Sequence, residues 1–236
     1  IICDFAFNGW GKKYKADLDN QLTRLLFDKG VFGKNALYRN HLDFVLEGGS
    51  IESDGQGTLL TTSNCLLSAN RNDLSKEATE AKLKAYFGLK RVLWLNHGHL
   101  QGDDTDSHID TLARFCDADT IAYVQCTDAS DEHYQELLLM EQELQNFKTL
   151  GGNTYKLVPL PMADAVYHEG ERLPATYANF LIINGAVLVP TYDSPKDKTA
   201  LEQLQKIFPD REIIGINCLP LIQQHGSLHC VTMQYY

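Results

Sequence analysis

The chain has 236 residues, 44% of them apolar, and a formal net charge of −10 at neutral pH. That length allows a substantial core, in one large domain or two small ones. The acidic balance argues against a nucleic-acid partner, which needs a basic surface, and mildly favours cationic ligands, while no apolar run reaches membrane-spanning length.

In chain order, residues 2–7 read as a strand, and residues 17–29 as a helix with Leu18, Leu22, Leu25 and Leu26 at helical spacing. An apolar strand over residues 42–46 ends at Glu47-Gly48-Gly49-Ser50. The next helix, residues 75–87, opens with a capping Ser75 and stops at Gly88, and a strand follows over 91–95. Residues 131–150 form a helix ending at Gly151-Gly152, followed by a strand over 154–160. Strands over 177–183 and 186–189 are joined by Asn184-Gly185, a strong two-residue hairpin turn. The last helix, 196–208, has Ser194 as its cap, Pro195 at its first position and Pro209 as its stop, and a strand follows over 211–216. A lone strand over 228–235 closes the chain.

Two apolar runs before each later helix and one after it make a β-β-α-β unit. Helix starts near residues 75, 131 and 195 recur at roughly 60 residues. The expected fold class is α/β (α+β) built from such units, against an ordinary α+β domain whose spacing is coincidental. The chain opens partway into a unit, so residues 1–236 are expected to be a single domain lacking its first module. The start at Ile1-Ile2-Cys3 shows neither an initiator Met nor a signal-peptide pattern. Cys3, Cys65, Cys116, Cys126, Cys218 and Cys230 contain no CxxC pair and suit free thiols in a reducing compartment, so a cytoplasmic location is expected.

Chemistry concentrates at residues 102–110, where Asp103, Asp104, Asp106, Asp110 and His108 share nine positions. Such crowding asks for a cation, either a metal ion or a cationic substrate. A calcium loop is excluded, because Ile109 stands where the turn Gly belongs and Phe115 where the bidentate Glu belongs. His97, His99, His108 and Asp110 are candidate zinc ligands, but their spacing matches no strong template. Glu47 ends a strand beside two glycines, either as a binding carboxylate or as a solvated strand-end residue. Alternation along the closing strand puts Leu228 and Cys230 on one face and His229 on the other. Free Cys is most often a small buried hydrophobe, and that reading stands for the other five cysteines.

Taken in order, these segments resemble the agmatine deiminase family, within the guanidino-group-modifying superfamily and related to Porphyromonas-type peptidylarginine deiminases. The resemblance rests on Phe7-Asn8-Gly9-Trp10-Gly11 with Lys13-Tyr14, on Glu47-Gly48-Gly49-Ser50, and on Gly57-Thr58-Leu59-Leu60-Thr61-Thr62 with Cys65-Leu66-Leu67 and Asn70-Arg71-Asn72. It continues through residues 103–110 with Leu112-Ala113-Arg114-Phe115, and through the His229-Cys230 terminus. It implies a propeller of five β-β-α-β units around a central site. It also implies an upstream Trp-x-x-Arg-Asp segment, absent from this numbering, that supplies a second guanidinium-binding carboxylate. Lys12 and Ser107 stand where the family usually has Gly, and Ser227 where it usually has Asn.

By that resemblance Cys230 is the nucleophile, His108 the general acid and base, and Glu47 and Asp110 the carboxylates that grip a guanidinium, with Asp106 and Trp10 as further substrate contacts. Attack on a resonance-stabilised cation needs a strong nucleophile, which thiolate is, and carboxylates match the planar donor fork of the guanidinium. The implied reaction converts agmatine to N-carbamoylputrescine and ammonia, a step toward putrescine, with no cofactor and no metal. Deimination of peptidyl or free arginine is the same-class alternative, and a catalytically silent guanidino-compound binder the different-class one. Free arginine needs a cation for its carboxylate; Arg71 and Arg114 are available but read more readily as an exposed loop Arg and a helix-face Arg. Trp10 and Tyr14 either line an aliphatic chain or pack together. Homo-oligomerisation rests on general frequency alone. Carboxylates near Cys230 are expected to raise its pKa in the empty enzyme.

Overall fold

A computed structural model describes residues 1–234 as a mixed α/β chain with five small sheets, none closed into a barrel. Three of those sheets repeat one plan, an antiparallel pair followed by a parallel third strand reached through a helix. The first joins Ile51–Ser53, Thr58–Thr62 and Arg91–Leu95 around the helix Lys76–Phe87. The second joins Ala113–Phe115, Thr120–Gln125 and Lys156–Pro161 around Tyr134–Asn146. The third joins Leu181–Ile183, Ala186–Thr191 and Glu212–Asn217 around Lys196–Ile207. The β-β-α-β reading therefore holds three times. Before them, Ile2–Ala6 pairs in parallel with Tyr38–Val45 across the helix Asp19–Asp28.

The central strand of each unit is enclosed on both faces, as its apolar and Thr-rich sequence requires; all five residues of Thr58–Thr62 are buried. Each helix carries buried side chains into the sheets, Leu83 in the first unit, Leu137, Met140 and Leu144 in the second, Ala200 and Leu204 in the third: Lys76–Phe87 lies along Arg91–Leu95, Tyr134–Asn146 along Thr120–Gln125, and Lys196–Ile207 between Glu212–Asn217 and Lys156–Pro161. Each buried Leu contributes about 1.5–3 kcal/mol. The local signals hold at several ends. Ser75 accepts a hydrogen bond from the Ala78 amide, Gly88 closes the helix in the left-handed conformation, and Ser194 accepts from the Lys196 amide. The hairpin pairs Ile183 with Ala186, with Gly185 at φ 80°.

Other expectations change. The residues at 17–29 do form a helix, over Asp19–Asp28, but its apolar stripe faces outward, with Leu18, Leu22 and Leu25 at 78%, 54% and 48% exposure. A short hairpin, Val166–His168 with Glu171–Leu173, appears where none was expected. The closing strand is not formed within the described residues: His229–Val231 is a single 3-10 turn, and residue 235 of the expected strand lies outside them. The amides of both His229 and Cys230 are captured by the Asn179 side-chain oxygen, at 2.8 and 3.3 Å, which draws the backbone out of an extended path. No helix among the described residues is long and apolar enough to cross a membrane.

Candidate active site

The site gathers chain from four places: Glu47 just after the strand Tyr38–Val45, the loop over residues 103–110, Asn179 ahead of the third unit, and the turn at His229–Val231. The acidic loop shows how its four carboxylates are answered. Asp103 accepts from the amides of Thr105 and Ser107 and from the Thr105 hydroxyl, fixing the loop's own shape. Asp104 accepts from the Tyr14 hydroxyl at 3.1 Å, and its carbonyl from Lys13. Asp106 is taken on both oxygens, by Lys13 and by Arg71, each at 2.7 Å. Only Asp110 differs. One of its oxygens accepts from His229 Nδ1 at 2.8 Å, while Oδ1 is buried and has no partner among the described residues. An ionised oxygen in that state is costly to leave unmatched, so this is where a cationic ligand fits.

His108 lies beside Asp110, its backbone amide held by Thr105 Oγ1. Its Nε2 sits 2.7 Å from Glu47 Oε2, and its Nδ1 looks toward Gly49 and Asp110. The reason for glycine is steric: a Cβ at Gly49 would lie 2.6 Å from His108 Nδ1 and 2.9 and 3.0 Å from the Asp110 oxygens. Gly49 therefore leaves open the small space that Nδ1 and the carboxylate both border.

Glu47 is committed to protein partners. Besides His108, it receives Arg71 Nε on both oxygens and Arg71 Nη2 at 3.0 Å, with both side chains buried. Arg71 is thus neither an exposed loop residue nor free to meet a substrate carboxylate. Arg114 is likewise not on a helix; it sits buried on the strand Ala113–Phe115, paired with Glu52 at 2.7 Å and donating to the Phe180 carbonyl. Nor is Asp106 an open carboxylate, and Trp10 packs edge-on against Phe7 and Tyr14. Trp10 stands in a left-handed turn in which residues 9–12 all have positive φ, 68°, 54°, 82° and 69°. Only glycine fits the first of these, because a Cβ at Gly9 would lie 2.0 Å from the Tyr14 carbonyl oxygen.

Cys230 Sγ lies 3.9 Å from Asp110 Oδ2, in a residue that is exposed overall. The surrounding protein desolvates the sulfur and Asp110 adds its charge, which together push the thiol up to about 12. That is the direction expected for a thiol beside carboxylates. Burial opposes charge on His108, but its contacts to Cys65 and Glu47 outweigh it, and its pKa rises to about 10. Burial would raise Glu47 and Asp110 as well; hydrogen bonds from His108 and Arg71, and from His229, hold both below the usual carboxylate range. At neutral pH the empty site carries an imidazolium, two carboxylates and a neutral thiol.

Glu47, Cys65 and His108 present three donor atoms within 4.8 Å of one another. The 2.7 Å contact between Glu47 and His108 is a hydrogen bond, shorter than the roughly 3.3 Å edge of a tetrahedral zinc site, so an ion would have to part them. His97 instead pairs with Glu136, and His99 is exposed.

The Porphyromonas-type peptidyl-arginine deiminase family matches residues 1–235. The chain belongs to that family. A Porphyromonas gingivalis structure, named "Putative Arginine Deiminase", is 61% identical with a TM-score of 0.98 over 99% of this chain and 69% of its own. The agmatine deiminase of C. jejuni, a Cys-to-Ser variant with substrate bound, is 44% identical with a TM-score of 0.90, over 97% of this chain and 66% of its own. A Vibrio parahaemolyticus relative named "Putative agmatine deiminase" is 35% identical over 248 residues, 98% of this chain and 69% of its own.

Within this peptidyl-arginine deiminase family member, the structure brings together Cys230, His108, Asp110 and Glu47, and leaves Asp106 and Trp10 in packing and pairing roles on one side. The sequence alone does not mark out Asn179 and gives His229 no role. Asn179 carried no local signal, since it sits alone between Ala178 and Phe180. Strand alternation places His229 on the face opposite Cys230, and the turn His229–Val231 does not obey that alternation.

Proposed function

We propose that this protein is an agmatine deiminase that hydrolyses the guanidino group of agmatine to N-carbamoylputrescine and ammonia. The observation that carries the reading is the buried Asp110 Oδ1, unpartnered among the described residues, beside the Cys230 sulfur and the His108 imidazole. The relatives named for agmatine add to it, as does the Cys-to-Ser variant of the C. jejuni enzyme with substrate bound. The finer architecture that goes with the reading is a propeller of β-β-α-β units around this site.

Asp110 receives the guanidinium N–H groups and sets the central carbon against Cys230 Sγ. The arriving cation reverses the local field that holds the thiol protonated, so Cys230 gives its proton to solvent and the thiolate attacks the carbon. His108 donates its proton to one amino group, which leaves as ammonia, and an S-amidino-cysteine remains. Neutral His108 then takes a proton from water, the hydroxide adds to the same carbon, and the C–S bond breaks as the adduct's hydroxyl proton passes to the departing sulfur, releasing the ureido product and the free thiol. In this reading Glu47 holds and charges His108 from behind rather than gripping the substrate, because its oxygens are already occupied by His108 and Arg71.

Peptidyl-arginine is the second reading, favoured by the family's name and by a 52% identical solved structure named a "putative peptidyl-arginine deiminase". Free arginine is disfavoured, because Arg71 and Arg114 are both consumed by buried carboxylates. Ammonia and ureido product measured with agmatine, arginine and an arginyl peptide, for the wild type and Cys230→Ala in parallel, test the proposal. Cys-dependent turnover of agmatine alone supports it; turnover of the peptide alone moves the protein to the second reading, and silence on all three makes it a binder.

A further inference from the structure

His229 lies between two groups that ask opposite things of its ring. On one side, Arg114 Nη2, always a donor, sits 3.3 Å from Nε2; on the other, Asp110 Oδ2, an acceptor, sits 2.8 Å from Nδ1. The arrangement is satisfied in one tautomer only, with the lone pair on Nε2 and the proton on Nδ1. Arg114 has no freedom to turn away. Its Nε is fixed by Glu52 at 2.7 Å, and its Nη1 donates to the carbonyl of Phe180 at 2.7 Å and to that of Ala178 at 3.4 Å.

The backbone of the same residue is fixed too. The His229 amide donates to Asn179 Oδ1, whose amide group in turn donates to the Asp110 carbonyl at 3.2 Å. His229 is thus tied to Asp110 through its ring and through Asn179, and it precedes Cys230 directly. One residue therefore sets both the direction of the carboxylate and its 3.9 Å separation from the sulfur.

Building on the deiminase reading, we propose that His229 is a positioning residue: its Nδ1–H, locked in that tautomer by Arg114, holds one oxygen of Asp110 and so aims the other at the substrate guanidinium. His229 exchanges no proton with substrate. Losing this donor leaves Oδ2 only the longer contact from Cys230 Sγ and lets the carboxylate turn, which weakens substrate binding and misaligns attack. The expected loss in kcat/KM is about 10- to 100-fold, the size associated with one hydrogen bond to a charged group.

Three variants separate positioning from mere packing. The side-chain nitrogen of Asn reaches the place of Nδ1, whereas the amide of Gln reaches the place of Nε2. His229→Asn is expected to keep kcat/KM within about threefold of wild type, since it restores the donor to Asp110. His229→Gln and His229→Ala are expected to fall about 10- to 100-fold, mainly through KM, with thermal melts close to that of His229→Asn. Nitrogen NMR of histidine-labelled wild-type protein is expected to place the His229 proton on Nδ1. Gln performing as well as Asn, all three variants matching wild type, or a proton on Nε2 would overturn the proposal. Should wild type turn over no guanidino substrate, the deiminase reading falls, and the NMR tautomer still decides whether Arg114 locks the ring.

Discussion

Gly49→Ala isolates the site from the fold. Gly49 has no positive φ and lies in the short turn Gly48–Ser50, so alanine suits its backbone. The added methyl would nevertheless stand 2.6 Å from His108 Nδ1, about 0.9 Å inside an ordinary contact of about 3.5 Å. The imidazole cannot retreat, since its far side already sits 2.7 Å from Glu47, and Asp110 is held from behind by His229. Displacing the acid and the carboxylate by most of an ångström is expected to lower kcat/KM about 100-fold, about 2.7 kcal/mol of transition-state stabilisation. The overpacking itself destabilises by about 1–3 kcal/mol, a melting shift of roughly 2–4 °C per kcal/mol in a chain of this size. Gly48→Ala is the control, because a Cβ there meets nothing within 4 Å. Ammonia release under saturating and limiting agmatine, with a thermal melt of each variant, reads both terms. Wild-type turnover in Gly49→Ala, or an equal loss in Gly48→Ala, would show that the methyl does not displace His108 and Asp110.

The remaining perturbations address charge and strain. Asp110→Asn removes the charge that adds to desolvation at Cys230, so the thiol should titrate below its wild-type value while agmatine turnover falls at least 100-fold; ultraviolet thiolate absorbance against a Cys230→Ser blank checks the first part. Arg71→Met strips a buried cation from Glu47 and Asp106, and should destabilise by about 3–5 kcal/mol, read as a large drop in the thermal melt. Lys12→Gly relieves a left-handed residue at φ 69°; about 1–2 kcal/mol of strain is released against about 0.4–1 kcal/mol of added unfolded-state entropy, so the melt should rise slightly with turnover unchanged. Asp110 has a lowered folded pKa, so its stabilisation is present above the ordinary carboxylate range and lost as pH falls through the folded value. His108 has the opposite sign, contributing fully below its ordinary value and losing its share as pH rises through about 10. Melts across pH should therefore decline at both ends.

The repeat was legible because it is written in local signals. Ser75 and Gly88 bound one helix and Asn184-Gly185 one hairpin, and each works through hydrogen bonds or backbone angles inside a few residues. The side chains that the fold gathers at the candidate site were legible too, since Cys230, His108, Asp110 and Glu47 sit in distinctive strings. Their division of labour was not. Whether Glu47 meets substrate or His108 depends on Arg71, 24 residues away in sequence, and whether Asp106 is open depends on Lys13, 93 residues away. Burial likewise turned Arg71 and Arg114 from ordinary surface residues into the fixed partners of acids. The last segment misled because alternation of apolar residues implies a strand only when nothing competes for its amides, and Asn179 competes for two of them.

The proposed reaction requires a covalent bond between Cys230 and the guanidino carbon. Wild-type protein quenched in acid during agmatine turnover, then digested and weighed, tests it most directly. The peptide containing Cys230 is expected to gain the mass of agmatine less ammonia, and Cys230→Ala to show no such gain on any cysteine. Turnover of agmatine with that peptide unmodified, or with the adduct on Cys65 instead, would contradict it.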